Sequence, residues 1–204
     1  MNNYKFSLLF LASSLLLVAC GDDSKPTGGT KISKSTDLPL GIYEVVSFTE
    51  NTEGCNEPGP QITDSPEFFV STKRTWGSYT WLEFYSCNDI PDCEDKQQML
   101  ENEEFFGSTH HYQFDTKTSD GFSDEIASVS SQTDDDGMCI NSKRMDNQAI
   151  VDSETILIEV RHYLATPFAP DASGYCMSDK VEGATKGAEC AILENLELHL
   201  IQEL

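Results

Sequence analysis

The 204-residue chain carries 35 acidic residues against 13 basic ones, a formal net charge of -22 with histidine neutral. So few Lys and Arg exclude nucleic acid as a partner, because binding a phosphate backbone depends on them. The same surface is repelled by anionic headgroups, so it supplies no membrane attachment of its own. The chain opens with MNNYK, one lysine and the terminal amine, and an apolar block runs from Phe6 to Val18. This block is shorter than the roughly twenty residues a helix needs to cross a bilayer. No other stretch is long enough, so it has the shape of an export signal and not of an anchor helix.

At the end of that block stands Leu17-Val18-Ala19-Cys20, followed by Gly21, Asp22 and Asp23. This arrangement resembles the lipobox of bacterial lipoproteins, in which a cysteine follows a small residue and a short apolar run. The resemblance covers residues 1 to 20 and implies a signal peptide over 1–19 that is cut off. It further implies a Cys20 thiol thioether-linked to diacylglycerol, and an acyl chain such as palmitate on the new amino group. One chain binds marginally and two or three anchor stably, each buried CH₂ contributing about 0.8 kcal/mol. In enterobacterial members an aspartate directly after the cysteine retains the protein at the inner membrane. Gly21 occupies that position here, so the resemblance implies the outer membrane, with the body facing the periplasm or the cell surface.

Residues 20–37 comprise the cysteine and a tether whose single large apolar residue is Ile32. Such a segment cannot build a core, and as a flexible chain it holds the body roughly 20 to 25 Å from the lipid. The body, residues 38–204, holds 9 basic and 32 acidic residues, a net charge of -23. Its length suits one domain. The charge favours solubility. A diffuse affinity for divalent cations or for a cationic partner is the functional alternative.

Strand signals dominate the body. "GIYEVVSF" (Gly41 to Phe48) puts Ile42, Val46 and Phe48 on one face, interrupted by Glu44, with Tyr43 and Val45 on the other. A weaker strand signal at Glu67 to Thr72 precedes the aromatic and β-branched "SYTWLEFYS" (Ser78 to Ser86). Asp92 to Phe106 reads as a short helix, with Asp92 as N-cap after Pro91. Further weak strands are expected at His110 to Thr116, Glu125 to Ser131, Met138 to Ser142 and Ala149 to Val151. Strong alternation returns at "ETILIEVRHYL" (Glu154 to Leu164) and "LELHLIQEL" (Leu196 to Leu204). The expected fold is mainly β: a single antiparallel domain, barrel or sandwich, with one short helix. The opening "LPLGIYEV" is similar to the G-x-W start of lipocalin-type barrels, with Tyr43 in place of the tryptophan. That resemblance implies a barrel and casts Arg161 as the counterpart of the arginine that packs on the tryptophan.

With Cys20 lipidated, Cys55, Cys87, Cys93, Cys139, Cys176 and Cys190 remain, an even set that reads as three disulfides in an exported protein. Short loops favour Cys87 with Cys93 and Cys176 with Cys190, leaving Cys55 with Cys139. A zinc site needs closely spaced pairs that these cysteines lack.

Chemistry is harder to find. The histidines are His110, His111, His162 and His199, and adjacent strand residues face opposite sides, so His110 and His111 cannot share a metal without a bulge. Aligning Gly137 with the invariant glycine of a calcium loop places Asp134 and Asp136 suitably. It also puts Gln132 and Lys143 where acidic ligands belong. That stretch and "DTKTSDGFSDE" (Asp115 to Glu125) read instead as turns. No catalytic, metal or cofactor motif emerges. The expectation is a non-enzymatic, lipid-anchored envelope domain that acts by binding or assembly, with an envelope protein as partner. The alternative is a lipocalin-like carrier of a small apolar ligand, whose cavity Tyr79, Trp81 and Tyr85 could line, unless these aromatics simply fill the core.

Overall fold

The computed structural model describes residues 38–76, 79–104, 107–129, 133–152 and 154–204. Nine strands make one antiparallel sheet: β1 Gly41–Asn51, β2 Phe68–Trp76, β3 Tyr79–Cys87, β4 His111–Phe114, β5 Thr116–Lys117, β6 Gly121–Ser128, β7 Lys143–Asp152, β8 Thr155–Leu164 and β9 Cys190–Glu203. Their order across the sheet is β4-β3-β2-β1-β9-β8-β7-β6-β5. Each strand that pairs therefore pairs with a chain neighbour, and β1 pairs with β9. The meander thus curls back on itself, and its two edges, β4 and β5, are separated in the chain by Asp115 alone. One half of this bent segment bonds β3 and the other bonds β6, so the covalent chain crosses the seam of a nearly closed up-and-down barrel. Closure of this kind removes the open edges a flat sheet would expose. The barrel, not the sandwich, is the architecture.

Period-two alternation decides what the barrel holds. Along β8, Ile156, Ile158, Val160 and His162 face inward, and along β9, Glu194, Leu196 and Leu198 meet them across the ladder. The interior also takes Phe48, Phe69, Leu82, Phe84, Tyr112, Phe114 and Ala149. Ring edges meet ring faces, with Tyr43 and Phe84 centroids 5.8 Å apart and Phe84 and Phe114 6.1 Å apart. The middle of the barrel is a packed core.

In β1 the inward set differs from the sequence pattern. Tyr43, Val45 and Phe48 face the core together because a bulge between Val45 and Ser47 inserts one residue and flips the alternation. Val46 is left 56% exposed, and Ile42 lies on the outer wall. Gly41 stays a glycine for steric reasons: a methyl there would overlap the Gln202 carbonyl and the Leu200 side chain.

Helix α1, Ile90–Glu101, packs outside the barrel, setting Cys93 and Leu100 against Ile42, Phe68, Val70 and Tyr85. Its N-cap is Asp89, one turn earlier than the sequence suggests. The Asp89 carboxylate accepts from the Asp92 N–H at 2.8 Å, and Asp92 accepts from the Asn88 N–H at 2.8 Å. Asp92 is therefore the return half of a reciprocal cap, which is why an aspartate stands there. A second helix, α2 Val181–Thr185, follows a 3₁₀ turn at Ser178–Lys180 and buries Val181. Sequence patterning did not anticipate it. Met138 to Ser142 is not a strand: Cys139 makes isolated bridges to Thr133 and Phe168.

All six body cysteines are oxidised, and Cys87–Cys93 pairs as expected, pinning the start of α1 to the end of β3. The other two pairs correct the sequence expectation, being Cys55–Cys190 and Cys139–Cys176. Loop length favoured a local Cys176–Cys190 link, but the barrel sets the neighbours. Cys190 opens β9, whose Leu193 lies across from Asn51 at the end of β1, and Cys55 follows four residues later. Backbone bonds between Cys139 and Phe168 bring the approach to Cys176 alongside Cys139.

Candidate functional site

At the end of the barrel where β1 begins, the packed core stops short and leaves a cavity of about 410 Å³. Leu38 and Leu40 form one side. That segment is held by the Tyr43 hydroxyl donating to the Pro39 carbonyl at 2.5 Å and by the Leu204 N–H donating to the Leu40 carbonyl at 3.0 Å. Leu82 from β3, Phe114 from the end of β4 and Phe122 from β6 complete an apolar lining. Thr80, Lys73, Asp115 and Lys117 supply the polar rim. Lys73 belongs to the inward set of β2 with Phe69 and Ser71, the latter accepting from the Gly41 N–H at 2.9 Å. It makes no ion pair or hydrogen bond with a described residue. Beside this rim, burial and the neighbouring Asp115 carboxylate push the Asp124 carboxyl up to about 6.

Of the aromatics proposed to line a cavity, only Trp81 borders this one. Tyr79 is 74% exposed. Tyr85 faces outward on β3, stacked on His111 with centroids 4.4 Å apart. On that outer wall Glu83 lies 3.4 Å from His111 Nε2 and 3.9 Å from Arg74 Nε. Burial alone would raise the Glu83 carboxyl, but the nearby polar groups of His111, Trp81 and Tyr85 hold it below its ordinary value. The inward aromatic of β3 is Phe84, because adjacent residues take opposite faces.

The opposite end of the barrel is polar. Glu194 Oε2 accepts from the Tyr112 hydroxyl at 3.0 Å, and Glu194 Oε1 lies 2.7 Å from His162 Nε2, whose N–H is not aimed for a linear bond. Lys143 Nζ lies 3.1 Å from His162 Nδ1. Burial works against the Glu194 charge, but His162, Tyr112 and Lys143 outweigh it and hold the carboxyl below the ordinary glutamate range. Burial, reinforced by that carboxylate, raises the Tyr112 hydroxyl. With Ile126, Met145, Asn147 and Val160 these groups border a space of about 190 Å³. Tyr112, Lys143, His162 and Glu194 thus form a polar plug across strands β4, β7, β8 and β9.

The remaining sequence candidates lie elsewhere. Cys20 falls outside the described residues, as does Gln132. His110 meets the Phe48 ring edge-on at 5.4 Å, and His199 is a half-buried residue of β9. Asp134 to Gly137 is a turn: the Asp134 carboxylate accepts from the Asp136 and Met138 N–H groups at 3.1 and 2.8 Å, and Gly137 takes a φ of 74°. Lys143, at the would-be calcium position, belongs to the plug. Arg161 is on the outer wall, bonded to Glu159 at 2.8 Å, and cannot pack on the inward Tyr43. Among the described residues, no group of three or more His, Cys, Asp or Glu could hold a metal ion, and no helix is long and apolar enough to cross a membrane. No family model, curated protein or solved structure matches the chain.

Proposed function

We propose that this protein is a lipid-anchored binding module of the bacterial cell envelope that holds a small apolar molecule in the open end of its barrel. The observation that carries the reading is the cavity bordered by Leu38, Leu40, Leu82, Phe114 and Phe122. Its volume, about 410 Å³, falls within the range of small-molecule sites, and an apolar lining with a few convergent polar groups is their usual character. The Leu17-Val18-Ala19-Cys20 lipobox supports the anchor, and three disulfides support an oxidising compartment outside the cytoplasm. Nothing in this reading requires chemistry from the protein: the apolar wall supplies affinity and the rim supplies orientation.

Native mass spectrometry of the full-length protein from its host tests both halves. A mature chain that begins at an acylated Cys20 and carries an apolar small molecule is the expected result. Phe122→Glu, which places a charge against the lining, should abolish the co-purifying mass while leaving the acyl mass. An unacylated Cys20 or a retained leader would remove the anchor. A chain that never carries or accepts an apolar molecule would remove the binding role.

A further inference from the structure

We infer that the molecule held at this end of the barrel is a single-chain amphiphile with a carboxylate head, its tail against Leu82, Phe114 and Phe122 and its head against Lys73. The inference rests on the proposed binding role and narrows it to a ligand class. Charge carries it. The body holds 9 basic residues against 32 acidic ones, and two of the nine, Lys73 and Lys117, border this cavity. Arg74, Lys96, Arg144 and Arg161 are paired with Glu83, Asp92, Asp146 and Glu159, Lys143 belongs to the plug beside His162, and Lys180 and Lys186 are not part of the cavity lining. Lys73 has no such partner among the described residues, although Asp115 shares its rim. Its place in the inward alternation of β2 sets its stem along the cavity wall, with the ammonium in water at the mouth. Lys117 adds a second positive charge to the same rim from the seam.

These features discriminate among apolar ligands. A cationic head would meet Lys73 at the mouth, with the single rim carboxylate, Asp115, shared among the rim groups, and a neutral head would gain no charge-assisted bond from Lys73. An anionic head gains a charge-assisted bond. Long-range repulsion from the acidic body does not forbid this, because ionic strength near the physiological value screens charges beyond about 8 Å. The cavity volume of about 410 Å³ lies near the small end of ligand sites, which suits one chain over a two-chain lipid.

The test uses the full-length protein in phospholipid nanodiscs, with protein-free nanodiscs as the blank. Binding of decanoate, decanol and decyltrimethylammonium is measured by calorimetry, and ¹³C-carboxyl decanoate is followed by NMR. Decanoate should bind saturably and roughly tenfold more tightly than decanol, as expected for a hydrogen bond to a charged group. Lys73→Gln should bring decanoate down to the decanol level and move the bound carboxyl resonance, while Lys73→Arg should retain most of the preference. Lys73 is exposed, so neither variant disturbs the core. Equal binding of decanoate and decanol, or a preference that survives Lys73→Gln, would overturn the anionic assignment and leave the apolar site standing. Binding of none of the three probes would overturn the site itself, and the ligand class with it.

Discussion

Asp124 and Glu194 are two acids near opposite ends of the barrel whose environments push them in opposite directions. The Asp124 carboxyl is raised to about 6 in the folded protein, above its unfolded value, so its charge costs stability at neutral pH. That cost is relieved as pH falls through about 6, and the relief is complete below the unfolded value near pH 4. Glu194 has the opposite sign: its lowered value adds stability above the unfolded glutamate range, and this is lost as pH falls through the folded value. Urea unfolding across pH should therefore show Asp124→Asn more stable than the natural protein at pH 7, with the difference vanishing on acidification to about pH 4. Glu194→Gln should be the less stable at pH 7, its deficit narrowing below the glutamate range. Glu194 was open to detection from sequence as a polar break in the run Ile192, Glu194, Leu196, Leu198. Starting the last strand at Leu196 placed it outside the pattern. His162 lay within the alternation of Glu154 to Leu164 but carries no sign of its partners, which come from strands far away in the chain.

At the scale of elements, local patterns predicted strand character well and strand facing less well. The alternations in β8 and β9 read correctly from Ile156 to Val160 and from Leu196 to Leu200, where the strands run without interruption. Leu164, expected on the same face as Ile156, is instead exposed beyond a register shift at His162 and Tyr163. β1 read wrongly because a bulge has no reliable signature in "YEVVSF". Helix α1 was legible through its cap chemistry, although two aspartates competed for the cap and the carboxylate of the second proved to be the return acceptor. Bridges show the same division. Peptide mapping without reduction should return Cys55 with Cys190, Cys87 with Cys93 and Cys139 with Cys176. In the chain-entropy picture Cys55–Cys190, spanning 135 residues, contributes roughly 5 kcal/mol and Cys87–Cys93, spanning 6, roughly 2. Replacing the first pair by serine should thus lower the melting temperature by a larger margin than replacing the second, and calorimetry reads both.

For the whole molecule, net charge and closure act against each other. Thirty-two acids against nine bases repel across a body held together by one barrel interior and three disulfides. Screening shortens the repulsion to a few ångströms at high ionic strength, while core burial is left intact. Raising sodium chloride from about 0.01 to 0.5 M should therefore raise the melting temperature of the natural protein by several degrees. A fall, or no change, would mean that specific surface pairs outweigh the self-repulsion. Closure also explains why the barrel has two unlike ends: the interior is filled at its middle by rings, capped by the Glu194 plug on one side and left open at Leu38 and Leu40 on the other.

Local chemistry was enough to establish that the body is a single acidic, mainly β domain with six cysteines in disulfides, because alternation, turn residues and cysteine parity are properties of near neighbours. The reading of Cys20 as the border between an export signal and a tether likewise rests on local sequence alone. Which strand closes on which, which cysteines meet, which face of β1 is inside and where the cavity lies were decided only in three dimensions. Those depend on contacts between residues as distant as Gly41 and Glu203, and a period of two says that a strand has two faces without saying which one the barrel will enclose.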